Sequence, residues 1–164
     1  MPRIHSIYRA SQAGEPMNKS ESVRLILGAG IEGDRYALGI GTFSGSIPAK
    51  IRDVSLITLT GIEDANQELE ASGLSAYLAS EVRRNIVIED MSSDDLNQLI
   101  GKEFSLGIIR LLATELCIPC ERPAKLSEKS NFLSAFKNRG GIRAQILDSG
   151  QVRVGDQLKW ALLA

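Results

Sequence analysis

The chain has 164 residues, 43% hydrophobic and 24% charged, with 19 Lys and Arg against 20 Asp and Glu. Those ordinary globular values exclude disordered and fibrous classes, and the length predicts one domain over residues 1–164 that needs no disulfide or metal staple. A net charge of −1 removes the overall electrostatic attraction that nucleic acid or an anionic membrane surface would use. No apolar run reaches the roughly 18 residues of a membrane span. The first ten residues, MPRIHSIYRA, have no apolar stretch and no small-residue cleavage site of a signal peptide. The expectation is a soluble, cytoplasmic protein.

Residues 2–9 alternate around Ile4 and Ile7 and predict a strand; residues 23–27 predict a second. Six glycines between Gly28 and Gly45, with no helical period, predict a long shaped loop. Residues 54–59 (VSLITL) are short and rich in β-branched side chains, which suits a buried strand. Thr60 and Glu63 fit a capping box, so a helix should run from there to about Ala71. Residues 74–82 add a helical turn or two, and 85–89 a short strand. A helix opens at residues 92–95 and runs to Ile100, with Gly101 as its stop. Residues 103–106 and 108–116 predict a hairpin around Gly107. Residues 127–138 carry Phe132 and Phe136 at i, i+4 and predict an amphipathic helix ended by Gly140-Gly141. Residues 142–147 and 151–154 flank a hairpin-like Asp148-Ser149-Gly150 turn, and 158–162 form a last strand. Hairpin-length turns dominate, which favours an α+β, mainly antiparallel, barrel-like fold with a few short helices over a βαβ fold.

Three features carry candidate chemistry. Gly28-Ala29-Gly30-Ile31-Glu32-Gly33 matches a dinucleotide fingerprint, but Gly39 and Gly41 follow too soon for the helix that would hold a pyrophosphate. The glycines instead predict turns, or backbone that approaches a ligand closely, with Asp34 and Arg35 supplying charge. Cys117 and Cys120, spaced C-I-P-C, are the only cysteines, and His5 is the only histidine. Three such ligands fall short of a four-coordinate zinc site, and His5 reads as a strand-face residue rather than a catalytic base. Pro119 and Pro123 bracket Cys120, disfavour helix there and predict a stiff extended loop. Arg122 and Lys125 favour a thiolate at Cys120, with Glu121 opposing. A metal ligand, a dithiol pair, a reactive thiol and two inert buried cysteines all remain open. Finally, Arg83-Arg84-Asn85 and Arg139-Gly140-Gly141-Ile142-Arg143 join arginine forks to glycine-freed backbone, a good anion holder, against the alternative of solvated surface arginines.

The order of these motifs resembles the MOSC domain, the module named after the C-terminal part of molybdenum cofactor sulfurase. Gly30-Ile31-Glu32-Gly33-Asp34-Arg35 is similar to its G-I-x-G-D-R signature, and Arg83-Arg84-Asn85-Ile86-Val87 to its R-x-N-hydrophobic segment. The stretch from Ile100 to Gly107 resembles its G-x-x-h-x-h-G hairpin, and Pro119-Cys120 the segment with its characteristic cysteine. Arg139-Gly140-Gly141-Ile142-Arg143-Ala144 and Val154-Gly155-Asp156 resemble its closing stretch. The resemblance runs from about residue 4 to 160. Many members have His after the G-D-R signature, where this chain has Tyr36.

The resemblance implies a β-barrel-like α+β fold and a link to the molybdenum cofactor and sulfur transfer. Cys120 would ligate the molybdenum of a molybdopterin cofactor, or would carry a persulfide to a metal-sulfur acceptor, with Cys117 as an auxiliary thiol. Gly33, Asp34, Arg35, Arg83, Arg84, Asn85, Arg139 and Arg143 are the candidate cofactor-binding residues. The reaction would be reduction of N-hydroxylated compounds or sulfur transfer. The implied partners are a molybdoenzyme, a cysteine desulfurase as sulfur donor, or a redox protein. Pyridoxal phosphate is a family-level association, and no bound pyridoxal phosphate is expected on this chain. The rival readings are a non-catalytic small-ligand or protein-binding β-barrel module and a CxxC dithiol oxidoreductase.

Overall fold

The computed structural model describes residues 1–41 and 52–161. Their order is β1 (Arg3–Arg9), β2 (Asn18–Ser20), β3 (Ser22–Ile26), β4 (Gly30–Ile31), β5 (Val54–Thr58), α1 (Leu59–Ala71), α2 (Ala79–Val82) and β6 (Ile86–Glu89). They continue with α3 (Ser93–Asn97), β7 (Glu103–Leu106), β8 (Ile109–Leu116), α4 (Arg122–Ser127), α5 (Phe132–Ala135), β9 (Ile142–Ile146), β10 (Gly150–Arg153) and β11 (Leu158–Trp160).

An eight-stranded sheet runs β11-β7-β8-β9-β5-β6-β1-β2, and a three-stranded sheet runs β10-β3-β4. All pairs are antiparallel except β5–β6. That one parallel pair needs a crossover, and α1 and α2 supply it, so the chain contains a single βαβ unit inside an otherwise antiparallel design. The large sheet curls until the start of β1 meets the segment ahead of β11. Ile4 N–H donates to Asp156 O at 2.9 Å, Gly155 N–H to Ile4 O at 2.8 Å and Leu158 N–H to Pro2 O at 2.9 Å. The result is the expected barrel-like α+β fold, a curled half-barrel with short helices against it.

Period-two alternation sorts the side chains. In β5 and β6, Leu56, Ile86 and Ile88 join the barrel interior with Ile4, Leu25, Leu111 and Ile146. Ile57 and Val87 face the other way, onto Ile62, Ala65 and Leu69 of α1 and the ring of Phe136. Phe132 and Phe136 stack at 4.5 Å between centroids, and Tyr77 meets both edge-on at 5.3 and 5.9 Å. Each such buried side chain contributes about 1.5–3 kcal/mol. Among the described residues, no helix is long and apolar enough to cross a membrane.

Four expectations are corrected. The α1 cap is Thr58, whose Oγ1 accepts from Gly61 N–H at 3.0 Å, because β5 stays extended through that residue; the Thr60–Glu63 box lies inside the helix. The single helix expected over 127–138 is reduced to α5: α4 ends at Ser127, and Glu128 and Asn131, both left-handed, separate the two. Pro123 does not prevent helix near Cys120. It sits in the first turn of α4, where its missing N–H costs nothing. Asp148-Ser149-Gly150 is not a hairpin: β9 pairs with β5 and β8, whereas β10 pairs with β3, so this turn hands the chain from the large sheet to the small one. Strands β2 and β4 were not expected. The ends of the predicted glycine loop (Gly45) and of the last predicted strand (Leu162) lie outside the described residues.

Candidate functional site

The two cysteines leave the end of β8, where the chain turns away from β9. Cys117 N–H still donates to Gly141 O at 2.8 Å. The Gly140-Gly141 pair is required by this crossing. A Cβ on Gly140 would overlap the Cys117 carbonyl oxygen and sit 3.3 Å from Pro119, and one on Gly141 would overlap the Leu56 carbonyl oxygen. The glycines therefore let the cysteine loop lie directly on the turn between α5 and β9. Arg84 ties the same corner together: Nε donates to Gly140 O at 2.7 Å and Nη1 to Val82 O at 3.4 Å.

Cys117 is buried, at 3% exposure, and Cys120 is exposed. Burial pushes the Cys117 thiol up from its ordinary range, against the pull of Arg84. A thiol so placed is a poor nucleophile at neutral pH.

Both cysteines border one open cleft. Arg35, Arg52, Arg83, Arg84, Arg122 and Arg143 line it. Tyr36, Ser55 and Asn85 complete its polar wall, and no Asp or Glu among the described residues lines it. Such one-signed walls focus field onto an anion.

The arginines differ in how they are held. Arg35 is buried and paired with Asp34 at 3.0 Å, its Nη1 also meeting Met17 Sδ at 3.4 Å. Arg35 and Arg52 lie over the Tyr36 ring at 4.9 and 6.0 Å. Arg143 approaches Glu115 at 3.6 Å. Arg83 closes α2 in a left-handed conformation (φ 64°), which turns its side chain toward the loop after β1. Nη1 donates to Glu15 O at 2.7 Å, while Nη2 is buried without a hydrogen-bond partner among the described residues. Burial, with Arg35 and Arg122 nearby, brings Arg83 down to about 10.

Other candidates serve the scaffold or lie elsewhere. Asn85 Oδ1 accepts from Ser55 N–H at 3.0 Å and Ser55 Oγ at 3.1 Å, and Nδ2 donates to Tyr8 O at 3.1 Å. Asp34 is buried; its Oδ1 accepts from Ala10 N–H at 3.1 Å and its Oδ2 from Tyr36 N–H at 3.3 Å. Gly33 is exposed beside Arg9 and does not border the cleft. Arg139 is on the far side of its turn, bound to Glu68 at 3.0 Å and Ala135 O at 3.2 Å, and does not border the cleft either. The G-x-G run forms the β3–β4 turn, and no helix follows it among the described residues.

Sequence reasoning did not select Arg52, Ser55 or Arg122 as ligand residues. Arg122 carried a signal, a cation two residues after Cys120, that was read only as tuning the thiol. Arg52 and Ser55 carried none, because only the pairing of β5 with β6 and β9 brings them beside Arg84 and Arg143.

The MOSC domain family matches residues 48–159, and the chain belongs to that family. Solved structures of the same fold include the YuaD protein from Bacillus subtilis (TM-score 0.77, 18% identity, 96% of this chain and 94% of that one). They also include YiiM from Geobacillus stearothermophilus (0.69, 13%, 99% and 76%) and YiiM from Escherichia coli (0.66, 15%, 99% and 71%). Comparison with curated proteins gives no match.

Proposed function

We propose that the chain binds a molybdenum-pterin cofactor in this cleft, with the Cys120 thiolate as metal ligand. The observation that carries the reading is an exposed cysteine at the rim of an arginine-lined cleft. The donor set suits the group: sulfur is a soft ligand for the metal, and arginine forks suit a phosphate. Arg84 and Arg143, on the strand side of the cleft, would hold the cofactor's anionic groups. Asp34 and Asn85 position the walls, and Arg35 and Tyr36 shape the floor. Arg139 has no direct part, since its guanidinium is taken by Glu68 and Ala135. The bound group would supply two-electron redox chemistry, such as reduction of an N-hydroxylated compound by electrons from a redox protein.

A second reading uses the same residues. Exposed Cys120 would carry persulfide sulfur from a cysteine desulfurase to a molybdoenzyme, with Cys117 beside it on the same cleft. Both readings place the chain in the cytoplasm, where the two thiols stay reduced. The test is molybdenum and pterin content of protein from a host that makes the cofactor, wild type beside Cys120→Ala. Near-stoichiometric molybdenum lost in the variant supports ligation. Cyanide-labile sulfur on the wild type alone, without molybdenum, selects the sulfur carrier. Neither signal leaves a binding module.

A further inference from the structure

We propose that Arg122, together with the buried Nη2 of Arg83, forms an oxyanion site beside Cys120 that holds the carboxylate or phosphate of an anionic small-molecule substrate. This rests on the reading that Cys120 is the reactive centre of the cleft, and it adds the chemical class of what comes to it.

The other arginines of the cleft are accounted for. Arg35 has Asp34, Arg143 has Glu115, Arg84 has two backbone carbonyls, and Arg52 lies over Tyr36. Arg122 has no ion pair or hydrogen bond among the described residues. The adjacent carboxylate, Glu121, is turned to Lys125 at 3.6 Å. Arg122 is half-buried, borders the cleft and opens α4 two residues after Cys120. Its guanidinium lies close enough to Arg83 to oppose that residue's charge. Arg83 in turn keeps one nitrogen buried with no acceptor among the described residues, on a backbone held in the left-handed region.

Two like charges brought together, one with an unmet donor, describe a receptor short of its anion. A buried donor without a partner is costly, and charge-assisted bonds to an oxyanion would satisfy it and relieve the repulsion at once. A neutral substrate would do neither. The pair stands on the loop side of the cleft, by Gly14 and Glu15, whereas Arg84 and Arg143 stand on the strand side by Cys117 and Glu115.

The test uses two alkylating reagents on the full chain, made in a host without molybdenum cofactor. Iodoacetate and iodoacetamide both react by attack of the thiolate on carbon, forming a C–S bond and releasing iodide; only the first carries a carboxylate. The iodoacetate-to-iodoacetamide rate ratio at Cys120, located by mass spectrometry, is expected to exceed that of a free cysteine peptide by about tenfold, the low end of what a charged cleft delivers. Inorganic phosphate should suppress the excess, Arg122→Gln should abolish it and Arg122→Lys should keep part of it. The urea midpoint of Arg122→Gln should match wild type, because no structural bond is lost. A ratio equal to the free peptide's, or one unchanged by Arg122→Gln, overturns the proposal. In cofactor-loaded protein, calorimetry should still detect phosphate binding. Binding confined to the cofactor-free form would assign the site to the cofactor's own phosphate and overturn the substrate assignment. The alkylation arm needs no molybdenum, so failure of the cofactor reading leaves it decisive on its own.

Discussion

Replacing Asn85 by alanine separates a scaffold role from ligand binding. The Asn85 amide, just ahead of β6, ties β5 to β1 in the wall of the cleft: Oδ1 takes the Ser55 N–H and Oγ of β5, and Nδ2 reaches the Tyr8 carbonyl of β1. Asn85 itself is 5% exposed. The truncation strands the Ser55 N–H and the Tyr8 carbonyl, each worth about 1–3 kcal/mol when left unsatisfied in a buried setting. Taking both near the low end, because the cleft admits some water, gives a cost of about 3 kcal/mol. That lowers the folded-to-unfolded ratio about a hundredfold, out of a total stability of about 5–15 kcal/mol. With a urea slope of about 2 kcal/mol per molar, the unfolding midpoint should fall by about 1.5 M. The assay is equilibrium urea unfolding followed by circular dichroism, with the slope fitted for both proteins. A midpoint within about 0.5 M of wild type at unchanged slope would mean that these bonds contribute little. The amide would then be free for a ligand, and the positioning role would be wrong.

Native protein should release one alkylatable thiol, Cys120, and expose the second only in denaturant, because Cys117 is buried and its thiol is pushed up; two fast thiols under native conditions would refute the placement. Gly140→Ala should drive the Cys117 carbonyl aside at a cost of about 1–3 kcal/mol, typical of overpacking, and should make Cys117 alkylatable in the native state. Asp53 is raised above the ordinary carboxyl range by burial, against the pull of the Ile146 N–H. Its folded form therefore holds a proton to higher pH than its unfolded form. The associated stability is full at low pH and is lost as pH rises through the folded value. Asp53→Asn keeps an acceptor for Ile146 without the charge. Its thermal midpoint should exceed wild type at pH 7 and converge with it by about pH 3, below the unperturbed carboxyl range; a gap that widens toward acid pH would reverse the sign.

Two strands were legible from residue pattern alone. Ile4 and Ile7 marked β1, although they lie three apart and are both buried only across a bulge between Ile4 and Ser6, and the β-branched run marked β5, which is buried on both faces. The Phe132–Phe136 spacing was equally visible, but it did not reveal that Glu128 and Asn131 adopt left-handed backbone and separate α5 from α4. Residues other than glycine in that region are held there by tertiary contacts, such as the Tyr77 hydroxyl on the Ser130 carbonyl. The partner of β10 was hidden for a related reason: a short polar turn looks the same whether the chain folds back on itself or crosses to another sheet. At the site, the RGG segment was recognised but its purpose was misread. The glycines serve close backbone crossing under Cys117, and of the two flanking arginines only Arg143 faces the cleft.

The charge balance shows why composition is a weak guide to a site of this kind. A net charge of −1 excludes a strong overall field, yet six of the arginines line one cleft without a carboxylate in its wall. Net charge is a sum over the surface, whereas a ligand entering a cleft responds to the local wall and its low-dielectric surroundings. Asp34 and Glu115 offset two of these arginines, Arg35 and Arg143, from behind the wall, and other acids turn outward: Glu121 to Lys125, Glu68 to Arg139 and Asp148 to Arg110. Segregation is what β-sheet topology makes easy. The register of β5 with β9 puts Ser55 opposite Arg143, and the left-handed residue after α2 turns Arg83 inward. The anion preference of the cleft is thus a property of pairing and chain reversal. Mutations that shift the β5–β9 register should lose it even with every arginine retained.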